Sequence, residues 1–234
     1  MSRYRLAALS ALFLTATTVA TLYAQQLPPR AGFESGDEFF QSSHSRLLSR
    51  VSSAEMAGRP EHTNDIWGYV SPKGREYAIV GLATGTAFVE ITDPEDPRVV
   101  GFIPGARSAW RDMAVYDRFA YSVNETGDGV QIIDLRRIDR GEVRLLGSFT
   151  EAGLQTAHNI YVNPVSGYAY VVGSNIAGGG IVALDLRNPR RPVAEPIAWD
   201  SASVHDVHVV TYQRGRNKGR EIAFAFTGPL DGDY

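Results

Sequence analysis

The sequence contains no cysteine and very little lysine. Without cysteine the chain cannot form disulfides, thiolate zinc sites, iron–sulfur clusters or a cysteine nucleophile. Lys73 and Lys218 are its only lysines, so arginine supplies most of the positive charge of a chain whose formal net charge is -3. Because no basic cluster is visible along the sequence, we expect neither nucleic acid nor another polyanion as a partner.

The first 24 residues have the pattern of a secretory signal peptide. Arg3 and Arg5 precede an uncharged stretch over residues 6–24, and small residues suitable for cleavage occur at Ala20 and Ala24. Residues 25–44 are interpreted as a linker. We therefore expect export to the periplasm, the cell surface or the medium. The alternative is an uncleaved membrane anchor, since 19 uncharged residues nearly span a bilayer.

Four segments repeat along the chain at a spacing of 47 residues, at 64–67, 111–114, 158–161 and 205–208. Each segment is followed by further short runs rich in β-branched and aromatic residues, separated by glycine-containing turns. Four short strands per repeat are typical of a β-propeller blade. A helical repeat is disfavoured because no segment after residue 60 keeps a 3.6-residue apolar period, and a β-helix usually has shorter coils.

The prediction is an all-β protein, a β-propeller of four-stranded blades at about 63–105, 109–151, 157–199 and 204–234. Residues 45–52 match the pattern of an outermost strand and are predicted to be a closing strand that completes the last blade. The fourth repeat ends after two strands, which predicts an incomplete propeller of three full blades and half of a fourth. A truncated fragment is the favoured explanation, with closure by oligomerisation as the alternative.

These repeats resemble the bacterial LVIVD-repeat proteins, in particular the choice-of-anchor B family of surface proteins. The resemblance covers nearly everything from residue 45 onward, and it rests on residues 64–69, 74–81, 85–94, 110–112, 158–160, 167–170, 178–180 and 205–206. It implies a secreted or surface-displayed propeller followed by a C-terminal anchor, and it implies no established reaction. The chain departs from the family in ending before an anchor and in having Glu90 where the repeat has aspartate.

Candidate functional residues gather at the start of each predicted first strand. Because first strands line the central channel of a propeller, these side chains are expected to form a polar ring around one axis. The candidates are His62, Asn64, Asp65, Arg111, Asp112, His158, Asn159, His205, Asp206 and His208. Imidazole and carboxylate groups bind divalent metals, so His158, His205 and Asp206 are candidate metal ligands. A His–Asp pair is also suited to general acid–base chemistry.

A structural interpretation competes for the repeated Asp or Asn position, represented by Asp65, Asp112, Asn159 and Asp206. Such side chains accept backbone N–H bonds in turns and crossovers, and their repetition in each blade favours that role. The function expected first is therefore a non-enzymatic extracytoplasmic binding module, with an unknown ligand or protein partner. The alternatives are a metal-assisted hydrolase with a divalent metal in the channel, and a structural component of the cell surface.

Overall fold

The computed structural model describes residues 44–59, 62–199 and 202–227. The predicted signal peptide and residues 25–43 of the predicted linker lie outside this part. The chain divides into two compact units, Met1–Leu48 and Ser49–Tyr234. The described residues of the first unit, 44–48, form no helix or strand. Within the described ranges, no helix is both long enough and apolar enough to cross a membrane.

The second unit contains fourteen described strands in four antiparallel sheets. Sheet 1 consists of β1 (Thr63–Val70), β2 (Glu76–Leu82), β3 (Gly85–Glu90) and β4 (Arg98–Pro104). Sheet 2 consists of β5 (Arg111–Tyr116), β6 (Phe119–Asn124), β7 (Val130–Arg137) and β8 (Glu142–Phe149). Sheet 3 consists of β9 (Asn159–Asn163), β10 (Tyr168–Val172), β11 (Ile181–Asp185) and β12 (Val193–Trp199). Sheet 4 has two described strands, β13 (Val204–Thr211) and β14 (Glu221–Thr227).

Neighbouring strands in each sheet are consecutive in sequence, because short turns return the chain directly alongside itself. The β5–β6 connection illustrates the turn chemistry. Tyr116 pairs with Phe119 across a two-residue turn, and Asp117 has a φ of 52° there. Tight hairpin turns require positive φ, which aspartate tolerates better than most residues. Local sequence therefore determines this hairpin.

The sheets pack face to face, and apolar side chains fill each interface. Tyr77, Ile79 and Phe88 of sheet 1 pack with Met113 and Ile133 of sheet 2. Further clusters join sheet 2 to sheet 3 and sheet 3 to sheet 4. Sheet 2 is covered on both faces, so all six residues of β6 are buried. Burial of a large aliphatic or aromatic side chain contributes about 1.5–3 kcal/mol, which makes these interfaces the main source of stability.

The first strands of neighbouring sheets lie side by side. The backbone N–H of Arg111 on β5 donates to Asn64 Oδ1 on β1 at 3.0 Å. The N–H of Ile160 on β9 donates to Asp112 Oδ2 on β5 at 2.7 Å. This arrangement brings equivalent positions of successive repeats together and is propeller-like. The prediction of an all-β chain built from four-stranded antiparallel sheets is confirmed.

The predicted closing strand at residues 45–52 is not a strand in the structure. The last residue of this segment, Ser52, is instead the N-cap of a short helix, α1 (Ser53–Ala57). Ser52 and Glu55 form a capping box, which satisfies backbone N–H groups at the start of the helix. A closing strand would need a third strand of the last sheet as its partner, and the described part of that sheet contains only β13 and β14.

Candidate functional site

Three side chains form a continuous polar chain at the start of the first strands of sheets 3 and 4. His158 Nδ1 lies 2.5 Å from Glu125 Oε1. The opposite nitrogen of the same ring, Nε2, lies 3.0 Å from Nε2 of His205. The two imidazole centroids are 4.3 Å apart. We call Glu125, His158 and His205 the histidine-pair site. His158 and His205 are separated by one repeat of 47 residues, so this contact joins equivalent positions.

Backbone features of sheets 3 and 4 place the two imidazoles. His158 directly precedes β9, and its N–H donates to the carbonyl of Val172 on β10 at 3.1 Å. Gly173 follows β10 with a φ of 59°, and a Cβ there would lie 2.6 Å from His158 Cβ. Glycine is therefore required beside His158. His205 is the extra residue of a β-bulge, because Val204 pairs with Thr227 while Asp206 pairs with Phe226. Bulges redirect side chains, often near functional sites.

Glu125 and Trp110 complete the surroundings of the pair and are absent from the sequence-based candidates. Glu125 follows β6 in a turn held by Asn124, whose Oδ1 accepts the N–H bonds of Thr126 and Gly127 at 2.9 and 3.0 Å. The ring of Trp110 lies 6.3 Å from that of His158 between centroids. Trp110 directly precedes the repeated segment 111–114 and Glu125 lies well beyond it, so the alignment of these segments alone could not identify them. The sequence feature that could have indicated Glu125 is a charged residue directly after a strand.

The carboxylate of Glu125 orients the His158 ring. A carboxylate only accepts hydrogen bonds, so this contact fits the tautomer that carries its proton on Nδ1. In that tautomer the lone pair of Nε2 faces Nε2 of His205. The His158 side chain is 18% exposed and that of Glu125 is 39% exposed. The site is therefore partly open to solvent.

Of the repeated Asp or Asn positions, Asp112 has bonds of the kind expected for the structural interpretation. Its Oδ2 accepts the N–H of Ile160 on β9 and its Oδ1 accepts the N–H of Met113, each at 2.7 Å. Asn64, one residue before such a position, accepts the N–H of Arg111. Asp112 is buried, and this burial raises its pKa well above the usual range. A side-chain hydrogen bond with Asp65 raises the pKa further, because a protonated Asp112 can share its proton with the neighbouring carboxylate. Asn64 and Asp112 join the first strands of neighbouring sheets.

Arg111, the first residue of β5, is buried. Its Nε donates to the Leu82 carbonyl at 3.0 Å, and Nη2 donates to the Ala106 carbonyl at 2.6 Å. Nη1 and the nearby Gln131 Oε1 are buried without a hydrogen-bond partner in the described structure. Burial lowers the pKa of the guanidinium, an effect that the charge of Asp128 opposes. The sequence predicted Arg111 in a channel-lining ring, whereas in the structure its guanidinium donates to one carbonyl at the end of β2 and one in the loop after β4.

The remaining candidates have different surroundings. Asp206 Oδ1 accepts the N–H of Val207 at 2.6 Å. The His208 ring packs against Tyr161 at 4.8 Å between centroids. His62 is exposed, Asn159 is half-buried, and neither has a side-chain hydrogen bond within the described structure. Over residues 44–59, 62–199 and 202–227, no three His, Asp or Glu side chains are arranged to hold a metal ion. The three predicted metal ligands therefore do not assemble as a set.

No protein-family profile matches the chain, and no curated protein matches it. Among solved structures, hydrazine synthase from Kuenenia stuttgartiensis is similar over 73% of this chain and 42% of its own, with 18% identity and a TM-score of 0.41. A GH43 β-1,3-galactosidase with bound galactodeoxynojirimycin is similar over 60% of this chain and 47% of its own, with 12% identity and a TM-score of 0.39. The chain spans less than half the length of either structure.

Proposed function

We propose that this chain is a binding module that acts outside the cytoplasm, with the histidine-pair site as its ligand-contacting centre. The observation that carries the proposal is the 3.0 Å approach of His158 Nε2 to His205 Nε2, in a partly exposed position flanked by Glu125. Two imidazoles held this close present adjacent nitrogen atoms to a single ligand. The extracytoplasmic location is supported by the basic and then apolar residues 1–24.

Display at a bacterial surface, as in the LVIVD-repeat and choice-of-anchor B proteins, is part of the same proposal. Its support is the 47-residue repeat and the sequence resemblance from residue 45 onward. A propeller-like array suits this role because it is rigid and presents loops from several sheets on one face.

A nickel ion is a suitable probe of the site, because imidazole nitrogen is a good ligand for Ni²⁺. We expect the intact protein to bind one Ni²⁺ in calorimetric titrations at neutral pH. His205→Ala removes one of two ligands and should weaken that affinity by at least about tenfold. Glu125→Gln should weaken it by about 10–100-fold, the usual effect of losing an orienting carboxylate.

His208→Ala is the matched control, since His208 lies on the same strand and contacts Tyr161 instead. This variant should bind Ni²⁺ with unchanged affinity. Absence of saturable binding, or equal losses in His205→Ala and His208→Ala, would refute the histidine pair as a ligand-contacting centre.

A metal-assisted hydrolase is the second candidate, favoured by the contact between Glu125 and His158 Nδ1. Metal-ligating histidines commonly donate their other ring N–H to a carboxylate in this way. The residues present could supply two imidazole ligands and leave positions for water and substrate. Turnover of p-nitrophenyl acetate by the zinc-treated protein, lost in His205→Ala and kept in His208→Ala, would favour this candidate over simple binding.

A further inference from the structure

Four arginines line one cavity between sheets 2 and 3. Arg136 lies on β7 and Arg144 on β8 of sheet 2, while Arg190 and Arg191 come from the turn between β11 and β12. The cavity has a volume of about 460 Å³, and its other lining residues are Asp134, Leu146 and Asn188. Residues distant in sequence thus create a basic surface on a chain whose net charge is -3.

Most of the positive charge in this cavity is unpaired. Asp134 is its only acidic lining residue, and both oxygens of Asp134 are engaged by Arg136 at 2.5–3.0 Å. These bonds hold the pKa of the Asp134 carboxyl below its usual range, and the charge of Arg190 contributes to the same effect. Arg144, Arg190 and Arg191 have no salt bridge within the part of the chain that the structure describes. Three guanidinium groups therefore remain free to bind an anion.

Hydrogen bonds fix the turn that carries Arg190 and Arg191 without the help of a ligand. The Asn188 side chain accepts the N–H of Arg190 at 3.3 Å, and the Asn188 carbonyl accepts the N–H of Arg191 at 2.9 Å. The Tyr121 hydroxyl of sheet 2 donates to the Pro189 carbonyl at 2.7 Å. The turn is thereby fixed to the sheet that supplies Arg144. Preorganisation of this kind lowers the entropic cost of binding.

A second cavity adjoins the basic one and shares Leu146, Arg190 and Arg191 with it. It has a volume of about 440 Å³ and a mixed lining. Its apolar part comes from Ile132, Leu146, Phe149 and Pro192, and its polar residues include Ser148, Thr150 and Glu151. Together the two cavities form a groove, which we call the arginine groove. One part of it suits carboxylates, and the adjoining part suits an aliphatic or aromatic side chain.

We propose that the arginine groove binds an acidic peptide segment in which carboxylate side chains flank an apolar residue. Guanidinium groups bind carboxylates through paired N–H bonds, which gives both attraction and orientation. The adjacent apolar surface distinguishes a peptide of this composition from a purely charged polyanion. The groove is separate from the histidine-pair site, and its residues were not among those singled out from the sequence.

The test uses the full chain and a fluorescein-labelled peptide of four glutamates around one leucine, followed by fluorescence polarisation. We expect saturable binding at about 50 mM salt that weakens strongly by about 300 mM, since salt screens exposed charges. Arg190→Glu and Arg144→Glu should each weaken binding by at least about tenfold, because each reversal replaces an attraction with a repulsion. Replacing the leucine of the probe by glycine should weaken binding several-fold.

Arg214→Glu is the matched control, because Arg214 is an exposed arginine in the turn between β13 and β14. It changes the net charge equally and should leave peptide affinity unchanged. His205→Ala should also leave it unchanged, which separates this site from the histidine-pair site. Lack of saturable binding, equal losses in Arg214→Glu and Arg190→Glu, or displacement of the peptide by equimolar polyuridine oligonucleotide would each overturn the proposal. Unchanged urea unfolding curves would show that the variants are folded.

Discussion

Removal of the Asp112 carboxylate should loosen the contact between sheets 2 and 3. Its two oxygens accept the N–H groups of Met113 and Ile160, each at 2.7 Å. Both donors belong to buried residues, with exposures of 0% and 2%. Asp112→Ala leaves these two N–H groups without their acceptor, and each unsatisfied buried donor costs about 1–3 kcal/mol. Relief of the carboxyl's own burial and of its interaction with Asp65 offsets part of that cost.

We therefore expect Asp112→Ala to lower the free energy of unfolding by about 3 kcal/mol, measured by urea unfolding. Asp112→Asn keeps one carbonyl oxygen and should cost about half as much. The control is Asp96→Ala, because Asp96 forms a salt bridge with Arg98 at the surface with 60% of its side chain exposed. Such pairs contribute at most about 1 kcal/mol. An Asp112→Ala cost no larger than the Asp96→Ala cost would refute the assigned bonding.

Asp112 should also make the free energy of unfolding depend on pH. The pKa of Asp112 is raised in the folded protein by burial and by Asp65. The folded state therefore binds more protons than the unfolded state between about pH 4, the usual carboxyl pKa, and the raised value. The contribution of Asp112 to stability should fall as pH rises through this window and be fully present below it. The stability difference between wild type and Asp112→Asn should shrink accordingly, and a constant difference over pH 4–7 would contradict this.

Three further substitutions test other parts of the structure by urea unfolding. Gly173→Ala should lower the free energy of unfolding by about 2 kcal/mol, because φ is 59° at this position and the new Cβ would meet His158 Cβ. The same variant should bind Ni²⁺ more weakly, and an unchanged Ni²⁺ affinity would count against the placement of His158. Tyr121→Phe removes the bond to the Pro189 carbonyl and should cost about 1 kcal/mol. Ser52→Ala removes the N-cap of α1 and should cost about 1 kcal/mol.

The prediction of strands succeeded where local chemistry determines structure. Short β-rich runs separated by turn residues predicted the hairpin units that the structure shows in sheets 1 to 3. Residues 45–52 show the limit of this approach. Their apolar pattern resembles that of an outermost strand, but a strand also needs a partner, and the pattern carries no information about one.

The prediction of the site was partial for a related reason. The repeat alignment identified His158 and His205 as equivalent, and the structure brings their Nε2 atoms to 3.0 Å. It also suggested Asp206 as a third member, yet the Asp206 carboxylate accepts the N–H of Val207. The acidic partner is Glu125, which lies 33 residues from His158. A bulge at His205 and a turn around Asn124 determine where the His205 and Glu125 side chains point. The spacing of the repeats reveals neither feature.

The sequence by itself determined the strand content, the hairpin order and the equivalence of successive repeats, because these depend on residue preferences and spacing within about 47 residues. Tertiary structure decided which polar side chains meet. Glu125 reaches His158, and Arg144 shares a cavity with Arg190, only because separate sheets pack face to face. Hydrogen bonds and charge clusters of this kind depend on positions in space within a few ångströms, and those positions follow from the packing of whole sheets.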